Sequence, residues 1–239
     1  MLIPPHTLFI WYIYIIIYYM DSKIKFISLG GGGACGIRMK LEKILNQPSY
    51  IYDWLVSSQD FIIDTIFDYK NFIDFSNTMN MNIQYPYHFN LDKNYIDAYA
   101  PHHNFEKKNK LIFENRFNRL QDTLKNYKCV LIRLMIDKNN EASIVYSKNI
   151  NNIEHYTDNN NNKFNDKYEL KTSFKNYVDE IDKWQTFYKN ITTFYKNNDI
   201  ILILFGGKNP KIVNVDKNIF LIPPYNWKLV NKILNLNLF

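Results

Sequence analysis

Glycine is scarce in this chain, seven residues in 239, and cysteine is scarcer, with two. Two cysteines in unlike surroundings cannot make the framework of a disulfide-stapled secreted domain, and no Cys/His ligand spacing for zinc accompanies them. An intracellular, cytoplasmic setting follows, with no metal and no cofactor expected. Apolar runs of the length that marks a transmembrane helix, about 18 residues or more, are missing too. The longest run, Leu8 to Met20, would span about 20 Å as a helix against a hydrocarbon core of about 30 Å. It has neither the positive flank nor the small-residue cleavage site of a secretory signal. Met20 offers a second start just before the first strand, so residues 1–20 are expected to form an apolar extension outside the fold. Their Tyr and Trp side chains leave membrane contact open to that run. Charge of one sign is not concentrated either: the net charge is +6, but the basic residues are scattered. A nucleic-acid partner is therefore not expected.

What is present is apolar and aromatic, 46% and 17% of the residues. That is enough for a sizeable core, and the length suits one decorated domain better than two. Residues 21–239 are read as that domain, with a polar, Asn-rich insertion at about 149–167.

Ile24 to Leu29 reads as a strand covered on both faces, and Ile37 to Leu45 as a helix ended by Pro48. Gln59 to Tyr69 makes a second helix, and Asn71 to Tyr99 a long irregular stretch with one short strand at most. The helix pattern is strongest over Glu106 to Tyr127, where Phe113, Phe117, Leu120, Leu124 and Tyr127 recur at steps of four and three. Strand Cys129 to Ile136 follows, with Cys129 as a small buried hydrophobe. A long helix over Thr172 to Asn197, a strand running from Asp199 to Phe205, short runs at Lys211 to Val215 and Ile219 to Ile222, and a helix over Trp227 to Leu236 complete the chain. Helices and strands alternate, which predicts an α/β layered fold: a mixed, partly parallel central sheet with helices on both faces. A papain-like α+β layout is the alternative.

Five of the seven glycines lie between Gly30 and Gly36, interrupted only by Ala34 and Cys35. A strand, a loop stripped of side chains and a helix opening at a cysteine lets backbone amides approach a ligand closely. The helix start adds unpaired N–H groups and a partial positive charge, which stabilise a bound anion or a thiolate. Taken as a phosphate cradle, Gly31, Gly33 and Gly36 match the G-x-G-x-x-G pattern of dinucleotide sites, with Asp53 about twenty residues on. No Lys-Ser or Lys-Thr follows, so a P-loop is excluded. Taken as a thiol site, Cys35 needs a base, and His88, His102 and His103 are the candidates. His6 sits in the apolar extension and His155 in the Asn-rich insertion.

The order of short motifs resembles a poorly characterised family of papain-like cysteine peptidase domains, whose pattern runs S-L-G-x-x-C, P-F-D-W, H-D-F and an arginine-bearing helix. Ser28, Leu29 and Gly30 with Cys35 match the first element, Asp53 and Trp54 the second, His103 and Phe105 the third, and Arg116 and Arg119 the helix. Two extra residues separate Gly30 from Cys35, Tyr52 replaces the phenylalanine, and Asn104 replaces the aspartate after the histidine. The resemblance covers Ile24 to about Ile136. It implies Cys35 as nucleophile, His103 as general base, Asp53 or Asn104 as the group orienting the imidazole, and the amides of Ala34 and Cys35 as oxyanion donors. The implied partner is a peptide, isopeptide or other acyl substrate. Two other functions compete: a nucleotide-binding α/β protein, and an interaction module that keeps the fold without the chemistry.

Overall fold

The computed structural model describes residues 24–30, 34–53, 55–72, 87–89, 95–96, 98–100, 107–135, 169–170, 177–206 and 213–235. The continuous apolar runs become the strands of one sheet: β1 (Ile24–Ser28), β6 (Lys128–Leu134), β8 (Ile200–Phe205) and β10 (Ile219–Ile222). All four run parallel, in the order β1-β6-β8-β10. Their registers set Ile24 opposite Lys128, Cys129 opposite Ile200 and Leu202 opposite Ile219. β9 (Val213–Asp216) closes the far side antiparallel to β10. The sheet is thus mixed and mostly parallel, and the fold is α/β.

Alternate residues of each strand feed two separate cores, as a period of two requires. On one face Phe26, Val130, Ile132, Ile203 and Phe205 meet Ile37, Leu41 and Leu45 of α1 (Ala34–Leu45) and Val230 of α5 (Trp227–Leu234). On the other, Leu131, Leu202 and Leu204 meet Phe113, Phe117, Leu120 and Leu124 of α3 (Lys107–Asn126). Trp184, Phe187 and Ile191 of α4 (Tyr177–Tyr195) complete that second core. Helices therefore cover both faces, and the step-of-four-and-three stripe of α3 is buried from Phe113 to Leu124, while Tyr127, its expected last member, lies one residue beyond the helix and is exposed.

The strand order moves steadily away from β1, so successive right-handed crossovers put α3 and α4 on the same face. α1 lies on the opposite face. The chain leaving α1 must therefore pass the free edge of β1, and the segment 46–53 makes that passage. It leads into β2 (Val56–Ser57) and α2 (Gln59–Thr65), whose first turn is capped by Ser58 Oγ accepting from the Phe61 amide at 3.1 Å.

The stretch expected to be mostly irregular contains β3 (Tyr87–Phe89), β4 (Tyr95–Ile96) and β5 (Ala98–Ala100). β5 lies between β2 and β3, and β4 pairs with β7 (Glu169–Leu170). Strands of two or three residues are too short to show an alternating pattern, which is why the sequence did not reveal them. The Asn-rich insertion and the apolar run Leu8 to Met20 lie outside the described residues. Among the described residues no helix is long and apolar enough to cross a membrane.

Candidate functional site

The chain leaves β1 under tight control. Leu29 adds one more rung, its amide donating to the Ile132 carbonyl at 2.8 Å. Gly30 then turns with φ +73°, and a Cβ there would stand 2.5 Å from Ser57 Oγ and 2.8 Å from the Leu55 carbonyl oxygen. Only glycine fits, by conformation and by space. The turn is held from below by Arg133, a fully buried side chain near the end of β6. Its Nη1 donates to the Leu29 carbonyl at 2.9 Å and to Ser57 Oγ at 3.1 Å, and its Nη2 to the Ser57 carbonyl at 2.6 Å. The guanidinium also lies over the Trp184 ring, 5.6 Å from its centroid. Arg133 therefore ties the exit of β1 to β2, the two stretches that flank the candidate residues.

The passage around the β1 edge is built as carefully. Asn46, in the left-handed region at φ 47°, ends α1. Gln47 then presents its amide to the edge strand: Oε1 accepts from the Phe26 amide at 3.0 Å and Nε2 donates to the Ile24 carbonyl at 3.3 Å. A side chain thus occupies the place of a neighbouring strand and satisfies two groups that would be open to another chain. Arg38 of α1 donates from Nη2 to the Gln47 carbonyl at 2.7 Å, and Arg119 of α3 donates from Nη1 to the Ser49 carbonyl at 2.6 Å. The segment is gripped from both faces of the sheet.

At the end of this segment Asp53 is completely buried. Its Oδ2 accepts from the Tyr50 amide at 2.7 Å and lies 3.7 Å from Arg38 Nε. Its Oδ1 has no hydrogen-bond partner among the described residues. Burial pushes the carboxyl up to about 7, against the lowering influence of the Tyr50 amide, of Arg38 and Arg116, and of a marginal contact with the Ser28 amide. Desolvation outweighs the nearby positive charge here because the guanidinium of Arg38 is itself shared with Gln47 and, at 3.7 Å, with Glu42.

Cys35 is the second residue of α1 and Gly36 the third. The amides of Ala34 and Cys35 belong to the first turn, whose N–H groups have no partner within the helix. Gly31, Gly33, Trp54, His103 and Asn104 lie outside the described residues, as does His102; His88 falls in β3. β5 ends at Ala100, three residues before His103, and pairs antiparallel with β2 so that Tyr99 stands opposite Val56. The fold thus brings the start of α1, Asp53 and the C-terminal end of β5 to one region at the C-terminal edge of the parallel sheet.

Cys129 is a different kind of cysteine. It is buried in β6, its thiol facing the carbonyls of Thr123 and Tyr127 at 3.2 Å each, and burial pushes it up to about 12. It has no thiolate to offer at neutral pH. A surface depression lined by Phe67, Lys189, Asn190, Thr193 and Phe194 lies towards the C-terminal end of α4, at the opposite end of the sheet. It holds no pair of groups suited to acid–base or nucleophilic work.

Arg38, Gln47 and Arg133 were not singled out from the sequence. Arg133 had a visible signal, a lone charge inside the apolar run C-V-L-I-R-L-M. Arg38 and Gln47 had none, because their role depends on where the chain passes the sheet edge.

No family model matches the chain, and no solved structure does. Over 193 aligned residues the chain is 32% identical to Protein Ycf2 of Physcomitrium patens, a match that covers 69% of this chain and 8% of that protein. The chain therefore spans a small fraction of the length of the curated relative it resembles, whose name states no activity.

Proposed function

We propose that the chain is a papain-like cysteine hydrolase that cleaves a peptide, isopeptide or other acyl bond through a thioester on Cys35. The observation that carries this reading is the buried Asp53 carboxylate with an oxygen left without a partner among the described residues, close to the helix that opens at Cys35. A buried, open acceptor is what an imidazole N–H needs to be held in one tautomer and orientation. His103 is the donor that the order of motifs supplies. From Ala100 a chain of three residues reaches about 10 Å, enough to bring it alongside.

In this mechanism His103 takes the proton of the Cys35 thiol, the thiolate attacks the carbonyl carbon, and the oxyanion is met by the amides of Ala34 and Cys35. His103 returns the proton to the leaving group as the acyl bond breaks. Water, deprotonated by the same imidazole, then releases the acid and restores the thiol. Asp53 orients the ring and stabilises its charged form, with Asn104 as the second candidate for that task. A cytoplasmic setting suits a chain that keeps one of its two cysteines as a core residue and the other as a free thiol.

Nucleotide binding by the same loop has less support. Its ribose-binding acid should end the strand next to β1, whereas β6 is that neighbour and Asp53 lies on no strand. The test is a cysteine-directed acyl probe. Labelling of the native protein should reach one equivalent and vanish in Cys35→Ala, and should fall strongly in His103→Ala and Asp53→Asn. Equal labelling of wild type and Cys35→Ala overturns the reading.

A further inference from the structure

Three guanidinium groups converge on the chain segment that ends at Asp53; Arg38 lies 3.7 Å from both Asp53 and the exposed Glu42, whereas Asp53 is the carboxylate that acts on Arg116. Arg38 and Arg119 are anchored, on the carbonyls of Gln47 and Ser49. Arg116 is not. It lies one turn before Arg119 on the same face of α3, half-buried, with its guanidinium 5.7 Å from the centroid of the Phe113 ring. Among the described residues it has neither an ion pair nor a hydrogen bond. Burial lowers its affinity for a proton, Asp53 opposes that effect, and Arg119 and Arg38 add to it by repulsion. A partly desolvated cation beside two others is an unfavourable arrangement for folding alone. It becomes favourable when an anion enters, since a planar fork of donors matches an oxyanion in two bonds.

We propose that Arg116, backed by Arg38 and Arg119, forms an oxyanion-binding subsite that takes a carboxylate or phosphate group of the ligand. Its place in the fold says where that group would lie. Arg38 is three residues beyond Cys35 in α1, and residues at that spacing are neighbours on a helix surface. Arg116 lies one turn nearer than Arg119 to the N-terminal end of α3, which is the end beside the C-terminal edge of the sheet because α3 runs antiparallel to β6. The subsite thus lies beside Asp53 at the edge of β1, reached by Arg38 from one face of the sheet and by Arg116 and Arg119 from the other. An acyl substrate carrying an anionic group near its scissile bond, such as a peptide with a free terminal carboxylate, would be selected. That identity rests on the hydrolase reading; binding of an oxyanion does not.

The experiment follows thermal unfolding of the full chain with inorganic phosphate, with acetate and with chloride at matched ionic strength. Phosphate or acetate should raise the midpoint saturably, by about 3 to 5 °C at ten times its dissociation constant, while chloride does not. Arg116→Met should lose the shift, and Arg116→Lys should keep part of it. If phosphate acts and acetate does not, the ligand group is a phosphate; the reverse identifies a carboxylate. Should Arg116→Met not fold, wild-type protein treated with phenylglyoxal and mapped by mass spectrometry gives the same answer, with the effective anion protecting Arg116 selectively. No saturable shift with either anion, an equal shift in Arg116→Met, or no protection overturns the proposal. Acyl-probe labelling of Cys35 is read separately, so loss of one conclusion leaves the other standing.

Discussion

Arg133 holds Ser57 through two atoms at once, its Nη1 on the hydroxyl at 3.1 Å and its Nη2 on the carbonyl at 2.6 Å. The same Nη1 reaches the Leu29 carbonyl, so one side chain spans three acceptors on two chain segments. Arg133→Met leaves those acceptors buried without donors and should lower stability by about 2 to 4 kcal/mol. Arg133→Lys keeps the charge but replaces a planar fork by a point donor, so it should recover less than half of the loss. Urea unfolding of the three proteins measures both numbers.

Gly30 is the other half of that junction. Gly30→Ala places a methyl 2.5 Å from Ser57 Oγ and 2.8 Å from a backbone oxygen, at a φ of +73°. The left-handed conformation alone costs about 1 to 2 kcal/mol for a residue with a Cβ, and backbone at Leu55 cannot move aside without disturbing β2. A loss of about 3 kcal/mol or more is expected in the same unfolding measurement. Alanine at Gly36, inside α1, should by contrast be neutral or stabilising through helix propensity.

The contrast between these residues and the elements they join explains what could be read in advance. β1, β6 and β8 are continuous apolar runs and α3 has a regular stripe, so periodicity alone locates them and fixes the α/β class. Cys35 at the start of a helix was equally legible, since glycines mark the loop before it. Arg133 acts on residues 104 and 76 positions away, and Gln47 on residues 21 and 23 away. No local pattern records such a partnership. Asp53 stood out by its motif, but its burial and its contact with Arg38 follow from the passage around the β1 edge, which only the topology requires.

Gln47 guards that edge. Gln47→Ala should cost about 1 to 3 kcal/mol, because the Phe26 amide and the Ile24 carbonyl lose their partners. Gln47→Glu should cost more: one carboxylate oxygen can still accept from Phe26, but the other faces the Ile24 carbonyl as a second acceptor. Hydrogen exchange at the Phe26 amide is the direct readout, faster in Gln47→Ala. An increase in aggregation through the exposed strand edge should accompany it.

Cys129 should report unfolding and nothing else. Its thiol is buried and pushed up to about 12, so alkylation at pH 8 should be absent in the native state and appear only with global unfolding. Iodoacetamide labelling followed by mass spectrometry over a urea series checks this. Labelling of Cys129 well before the unfolding midpoint would show that β6 opens on its own.

Asp53 separates a functional carboxylate from a structural one. In the unfolded chain it titrates near 3.8 and in the folded chain near 7. Between those values the native state holds a proton that the unfolded state has released, so stability falls as pH rises from about 4 to about 7 and is level above. Three units correspond to at most about 4 kcal/mol. Asp53→Asn retains an acceptor for the Tyr50 amide and removes the buried charge. It should therefore abolish this part of the slope, raise stability at pH 8 by about 1 to 3 kcal/mol, and give no gain at pH 4.5. If the carboxylate orients His103, the same variant should lose most of the Cys35 acylation at pH 8 while being the more stable protein. A structural capping role predicts the stability change without the loss of acylation. Unfolding curves at the two pH values, set beside acyl-probe rates, distinguish them.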